Sequence, residues 1–130
     1  MTISPDYNSE PELDLEYGMT LVNPIQVTLY QAGDLYEGAS FNNFLDAIDN
    51  SGYCTFEGGD DPTQDSVYPD PDPAGYEGPQ NCGTFAATKV ISTSYGYNEH
   101  DLSVFYTARQ CQEYAKLGLL GTSILYSSGD

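Results

Sequence analysis

Basic residues are scarce in this chain. Of 130 residues only 3 are Lys or Arg, against 20 Asp or Glu, and the formal net charge is −17. Phosphate recognition needs lysines and arginines to displace counterions. Three scattered cations cannot form such a footprint, so nucleic acid is excluded as a partner. An anionic membrane surface is excluded on the same ground. Tryptophan is absent and histidine occurs once, at His100. The three cysteines include no Cys-x-x-Cys pair, so a zinc site lacks ligands. No apolar run is long enough to span a bilayer. No Asn-x-Ser/Thr sequon occurs, so no N-linked glycan is expected. The first 30 residues lack a basic segment followed by an apolar one, so no signal peptide is read there.

What is present suffices for a packed fold: 39% of residues are apolar and 13% aromatic, including 12 Tyr. The length alone fits one ordinary domain. The two ends point elsewhere. Met1 leads directly into polar coil, and the chain stops at Ser127-Ser128-Gly129-Asp130, just after an apolar strand pattern. Both ends read as those of a piece of something longer. Cys54 and Cys82 bracket a loop and are the expected disulfide, which favours an oxidising compartment. Cys111 falls in a helical pattern, as a buried thiol or as the partner of a cysteine beyond the end. Three reduced thiols remain the alternative.

The chain reads as an α/β succession. Ser9 and Glu12 have capping-box spacing and predict a helix starting there, with Pro11 in its first turn, apolar positions at Leu13, Tyr17 and Leu21, and an end before Pro24. Residues 27–31 have strand character. Residues 33–39 form a turn-rich connection. Phe41, Phe44, Leu45 and Ile48 then lie at i, i+3, i+4 and i+7, which predicts an amphipathic helix from Ser40, ended by Gly52. Residues 57–79 hold seven acidic residues, five prolines and four glycines and read as a long irregular loop. Strands are expected over 88–94 and 122–126. A helix over 101–117 joins them, with Leu102, Phe105, Ala108 and Ala115 on its apolar face and Gly118 at its end. Strand, helix, strand in that order is a βαβ unit with parallel strands. In open α/β sheets chemistry sits beyond the carboxyl ends of strands. Two small, polar segments fall there: Ser92-Thr93-Ser94-Tyr95-Gly96 and Ser127-Ser128-Gly129-Asp130.

Glu10 and Asp14 stand at i and i+4 and share a helix face. Neighbouring carboxyls push each other's proton affinities apart, which suits a proton relay. Acidic residues near a helix start are also favoured by the dipole alone. The surrounding sequence gives the pair a context. Residues Glu10 to Tyr17 read Glu-x-x-Leu-Asp-x-x-Tyr, which resembles the catalytic helix of the sedolisin family, the serine-carboxyl peptidases. Val90-Ile91-Ser92-Thr93-Ser94-Tyr95-Gly96 resembles that family's Ser-x-Ser-aromatic-Gly substrate-binding strand. Leu125 to Asp130 resembles its strand ending in Ser-Gly-Asp. The three motifs occur in family order over about residues 9 to 130. Asn42-Asn43-Phe44-Leu45-Asp46, Gly58-Gly59-Asp60-Asp61-Pro62 and Arg109-Gln110-Cys111-Gln112-Glu113-Tyr114 look closest to the fungal, tripeptidyl-peptidase-like branch.

The resemblance implies a subtilisin-like parallel sheet flanked by helices, of which residues 1–130 are a truncated, partial catalytic domain. It implies that Glu10 is the general base, that Asp14 orients it and shares its proton, and that Asp130 donates to the oxyanion. Ser92, Ser94, Tyr95 and Gly96 would hold an extended peptide by strand addition. A secreted enzyme cleaving peptides or proteins in acid is implied, monomeric at full length. The family's calcium site has its ligands outside this chain, and no metal ligands are assigned within it. The nucleophilic serine is missing as well. Gly121-Thr122-Ser123 has the composition of the family's serine box, but it precedes Asp130 and enters a strand instead of opening a helix, so the piece alone should be inactive. A non-catalytic, secreted binding module is the competing expectation. The acidic loop reads as solvated, since Asp60, Asp61 and Asp65 lack EF-hand spacing. His100, Arg109 and Lys116 read as surface residues.

Overall fold

The computed structural model describes residues 5–52, 54–55 and 59–129. They fall into two compact units, Met1–Gln31 and Ala32–Asp130. The first unit is built on helix α1, Pro5–Val22. Pro5 occupies the first helical position, where a missing N–H costs nothing. The helix therefore begins before Ser9, which lies inside it and is not its cap. Pro11 consequently sits within the helix and not in its first turn. Leu13, Tyr17, Met19 and Leu21 are all exposed, so the expected apolar positions of α1 are not buried. Residues 27–31 form no strand. Strand character needs a ladder partner, and the only sheet among the described residues has two strands, both in the second unit.

The second unit opens with a turn organised by Asp34, whose Oδ1 accepts the Tyr36 and Glu37 N–H groups at 2.7 and 2.8 Å. Helix α2 follows, Phe41–Ile48. Ser40 caps it reciprocally with Asn43: the Ser40 Oγ accepts the Asn43 N–H, and the Asn43 Oδ1 accepts the Ser40 N–H, both at 3.1 Å. Gly83 and Phe85 N–H donate to the Asp46 and Ala47 carbonyls at 2.6 and 3.0 Å, satisfying the last turn of α2. Strand β1, Val90–Thr93, pairs in parallel with β2, Ser123–Tyr126. Between them a 3₁₀ turn, Glu99–Asp101, leads into helix α3, Val104–Leu119, capped by Ser103. Gly118 is helical, and the left-handed residue past the helix end is Gly121 (φ 85°).

The registers place Ile91 opposite Ile124 and Ser92 opposite Leu125. Ile91 and Ile124 share the inner face. Val90 and Leu125 lie on the other face and are exposed. The buried apolar side chains are few: Leu45, Ile48, Ile91, Tyr106 and Leu117. α3 does not bury the expected face. Phe105 is 71% exposed, Ala108 and Ala115 are exposed, and the buried positions are Tyr106, Arg109, Gln110 and Leu117. These also follow helical spacing, one residue further round, because α3 is turned towards polar partners on α2 and the acidic loop.

That loop is not a solvated excursion. Asp65, Ser66 and Asp70 are buried, and the Asn43 side chain donates to the Ser66 carbonyl at 3.0 Å. A Cys54–Cys82 disulfide closes the loop across 28 residues of chain, and Cys111 is free and exposed, not buried. Closure of that length removes about 3–4 kcal/mol of chain entropy from the unfolded state. Peptide mapping without reductant should recover Cys54 joined to Cys82. The double variant Cys54→Ser, Cys82→Ser should lose about 3 kcal/mol of stability in urea. A Cys111 linkage in the map, or an unchanged unfolding midpoint, would contradict this account.

Candidate functional site

Glu10 and Asp14 lie four residues apart on α1, both exposed, so the helix brings these two expected catalytic carboxyls onto one face. They belong to the first unit, and the remaining expected site residues to the second. Ser92 is in β1, and Ser94, Tyr95 and Gly96 follow from its carboxyl end. The parallel ladder continues beyond β2, where the Ser127 N–H donates to the Thr93 carbonyl at 3.0 Å. Thr93, the last residue of β1, is therefore held beside Ser127, at the carboxyl ends of the two parallel strands. Asp130, the expected oxyanion residue, lies outside the described residues. Ser123 opens β2 opposite Val90, and its N–H is spent on the Lys89 carbonyl at 2.9 Å.

An aromatic group that sequence reasoning did not assemble stands at this end of the sheet. The Phe41 ring, at the start of α2, contacts Tyr95, Tyr97 and Tyr126 at centroid distances of 5.5, 5.0 and 5.4 Å. The contacts with Tyr95 and Tyr126 are edge-on, an arrangement that the ring quadrupoles favour. Gln110 Nε2 donates to the Tyr97 hydroxyl at 3.1 Å, and the Tyr126 and Tyr114 hydroxyls bond to one another. Burial pushes the Tyr97, Tyr114 and Tyr126 phenols above their ordinary pKa, so all three stay neutral donors. Phe41 was legible only as one member of the α2 stripe. Its position at the first helical residue is what turns it towards Tyr95.

Beneath α2 lies a buried polar network that was also not foreseen. Arg109, expected at the surface, is only 9% exposed. Its guanidinium donates to Asn42 Oδ1 and pairs with Asp46 Oδ1. Asp65 accepts from Ser40 Oγ at 2.5 Å, Asn42 Nδ2 at 3.1 Å, the Asp61 N–H at 2.7 Å and the Tyr106 hydroxyl. Asn42 Nδ2 also donates to Asp60 at 3.2 Å. Burial and the neighbouring Asp60 push Asp46 up to about 8, Arg109 opposing them. Asp60 is raised too, chiefly by burial. One signal was available: Asn42 and Asp46 at i and i+4 put an amide and a carboxyl on the same helix face as Leu45.

The other cations are simpler. Lys116 bridges Asp49 at 2.9 Å and Glu113 at 2.5 Å. Burial acts to raise Asp49, but the Ser51 N–H and Lys116 outweigh it and hold the carboxyl below its ordinary range. His100 pairs with Asp101 at 2.9 Å on the surface. Among the described residues, no group of three or more His, Cys, Asp or Glu is placed to hold a metal ion, and no helix is long and apolar enough to cross a membrane.

The chain is 45% identical over 130 residues to tripeptidyl-peptidase SED1 of Arthroderma otae, a match covering 95% of this chain and 19% of that protein. It is 48% identical over 129 residues to aorsin of Aspergillus oryzae, covering 93% and 19%. It is 40% identical over 131 aligned positions to tripeptidyl-peptidase sed1 of Aspergillus fumigatus, covering 95% and 20%. The chain thus spans about a fifth of the length of the curated relatives it matches. No family model matches. No solved structure matches either.

Arg109 crosses directly over Gly59, where an added Cβ would lie 2.6 Å from Arg109 Nε, and Gly59 itself has φ 107°. Gly59→Ala should therefore destabilise the second unit, by about 1–2 kcal/mol from the backbone alone. Arg109→Met should cost about 3–5 kcal/mol, because it strips the cation from a buried carboxyl cluster. Urea unfolding at pH 6 measures both. A neutral Arg109→Met would show that the guanidinium is not what holds the network.

Proposed function

Because homologues of this chain are fungal tripeptidyl-peptidases of the sedolisin family, we propose that it is part of the catalytic domain of a serine-carboxyl peptidase working in acid on peptide or protein substrates. Its parallel pair β1–β2 would be one section of a larger, subtilisin-like sheet flanked by helices. The observation that supports the proposal is the hydrogen bond from the Ser127 N–H to the Thr93 carbonyl at the carboxyl ends of that pair. It joins the strand that leads into Ser94-Tyr95-Gly96 to the strand that leads towards Asp130.

In this scheme Glu10 takes the proton of the nucleophile, and Asp14 hydrogen-bonds and orients Glu10. A carboxylate base suits an acidic medium. Imidazole, with an ordinary pKa of about 6.5, is protonated at pH ~4, whereas a glutamate near ~4.3 is still partly basic. Asp130, protonated in acid, donates to the oxyanion of the tetrahedral intermediate. Main-chain groups of Ser92, Ser94, Tyr95 and Gly96 pair with the substrate as an added strand, Tyr95 contributing an exposed ring beside it. The nucleophile is a serine outside these 130 residues, since Ser123 is committed to the sheet ladder. The calcium ligands expected of the family also lie elsewhere. We place the protein outside the cell, as a monomer.

In a full-length polypeptide carrying this segment, peptide hydrolysis at pH ~3–5 should fall by roughly 10²–10⁴-fold in Glu10→Gln. Asp14→Asn should lower the rate less and shift the pH profile, because Asp14 acts through Glu10. Hydrolysis that survives Glu10→Gln unchanged removes Glu10 from the mechanism.

A further inference from the structure

The ladder between β1 and β2 ends at Thr93, whose carbonyl takes the Ser127 N–H. Residues 94–98 then belong to no helix or strand. A backbone that adds a peptide as a further strand must be held in place beforehand. Otherwise it has to be ordered at the moment of binding, at a cost in affinity. What holds 94–97 is therefore a functional question.

The structure holds this stretch by its side chains. Tyr95 and Tyr97, alternate residues with Gly96 between them, both reach the Phe41 ring. Tyr95 meets it edge-on at 5.5 Å, and Tyr97 is tilted against it at 5.0 Å. The two tyrosine rings also meet each other edge-on at 6.0 Å, so the three rings close a triangle. Gln110 Nε2 fastens the Tyr97 hydroxyl at 3.1 Å. The grip leaves room at the backbone. An added Cβ at Gly96 would meet nothing within 4 Å, so the chain between the two tyrosines borders open space. Tyr95 remains 57% exposed, so Phe41 covers only part of its ring.

Phe41 is itself a fixed point. It is the first residue of α2, directly after the Ser40 cap, and Leu45 and Ile48 of the same helix are buried. Asn43, in the same turn, donates to the Ser66 carbonyl at 3.0 Å and accepts the Ser66 N–H at 3.1 Å. The Phe41 ring makes a second edge-on contact, at 5.4 Å, with Tyr126, the last residue of β2. It thus stands across the carboxyl ends of both strands.

We propose that Phe41 is a positioning residue, whose ring holds Tyr95, and with it residues 94–97, in place for an extended peptide. The proposal rests on the peptidase reading, which sets Tyr95 against substrate. Phe41 acts through Tyr95 and does not itself touch the peptide. An interaction of that kind serves the bound substrate and the transition state alike, so its loss falls on KM and not on kcat.

The test compares a full-length polypeptide carrying this segment with its Phe41→Leu, Tyr95→Leu and doubly substituted variants, on an oligopeptide at pH ~4. Leucine keeps apolar bulk at the start of α2 and removes the ring. Phe41→Leu should raise KM roughly 3–10-fold and leave kcat within about 2-fold. In the Tyr95→Leu background the same change should have no further effect on KM, because the group it acts through is gone. A purely structural role would raise KM equally in both backgrounds. Amide relaxation of the 130-residue chain gives a second readout: Phe41→Leu should loosen 94–97 while α2, β1 and β2 keep their order. Phe41→Met replaces Phe41→Leu in every comparison if the leucine variant does not fold. An unchanged KM, equal increases in both backgrounds, or a segment 94–97 as ordered as in the wild type overturns the proposal. A wild type that cleaves no peptide overturns the peptidase reading instead, and the relaxation data then report separately on whether Phe41 holds the segment.

Discussion

Arg109 holds the second unit together. It is the only cation buried among the described residues, and it reaches from α3 to Asn42 and Asp46 on α2 while lying across Gly59 of the acidic loop. Three pieces of chain far apart in sequence meet on one side chain. Lysine could not replace it, because a point charge cannot serve an amide and a carboxyl in one plane. The orientation of α3 follows from this contact. Once Arg109 is turned inwards, helical spacing turns Tyr106, Gln110 and Leu117 inwards with it and leaves Phe105 outside.

The apolar core is too small to make that network incidental. Among the described residues five apolar side chains are buried, against ten polar or charged ones. A hydrophobic core tolerates errors of shape, whereas a polar one fails when a single donor or acceptor is orphaned. This explains why the loop over 57–79 is tied down by many specific bonds instead of by burial: Asp34 accepts the Tyr76 N–H at 2.6 Å, Ser66 Oγ donates to the Gly38 carbonyl at 2.5 Å, and Asp65 gathers four donors. The disulfide adds a covalent limit to the loop at its two ends.

The parts legible in the sequence are those set by local or alternating patterns. α2 was readable from its i, i+3, i+4, i+7 stripe, and the parallel βαβ unit from two short β-branched runs around a helix. Even the segment 92–96 could be placed at a strand end before any coordinates. What failed depended on tertiary partners. The strand expected over 27–31 has the composition but no neighbour to pair with. The face of α3 was read from apolarity, which assigns Phe105 to the interior and Arg109 to solvent. The reverse holds because the surface α3 meets is itself polar. The acidic loop was read as solvated because carboxylates prefer water, and composition does not reveal that one arginine, two amides and two hydroxyls wait beneath it.

A charge of −17 at neutral pH looks at first like a burden on folding, and for exposed carboxylates it is. Two carboxyls near Arg109 behave differently. Asp46 and Asp60 gain from protonation, so their contribution grows in the same direction in which surface self-repulsion shrinks. The chemistry proposed for Glu10, Asp14 and Asp130 has the same requirement, because a carboxyl can serve as base in acid and as donor only when protonated. The chemistry proposed for the site and the raised Asp46 and Asp60 carboxyls therefore point the same way.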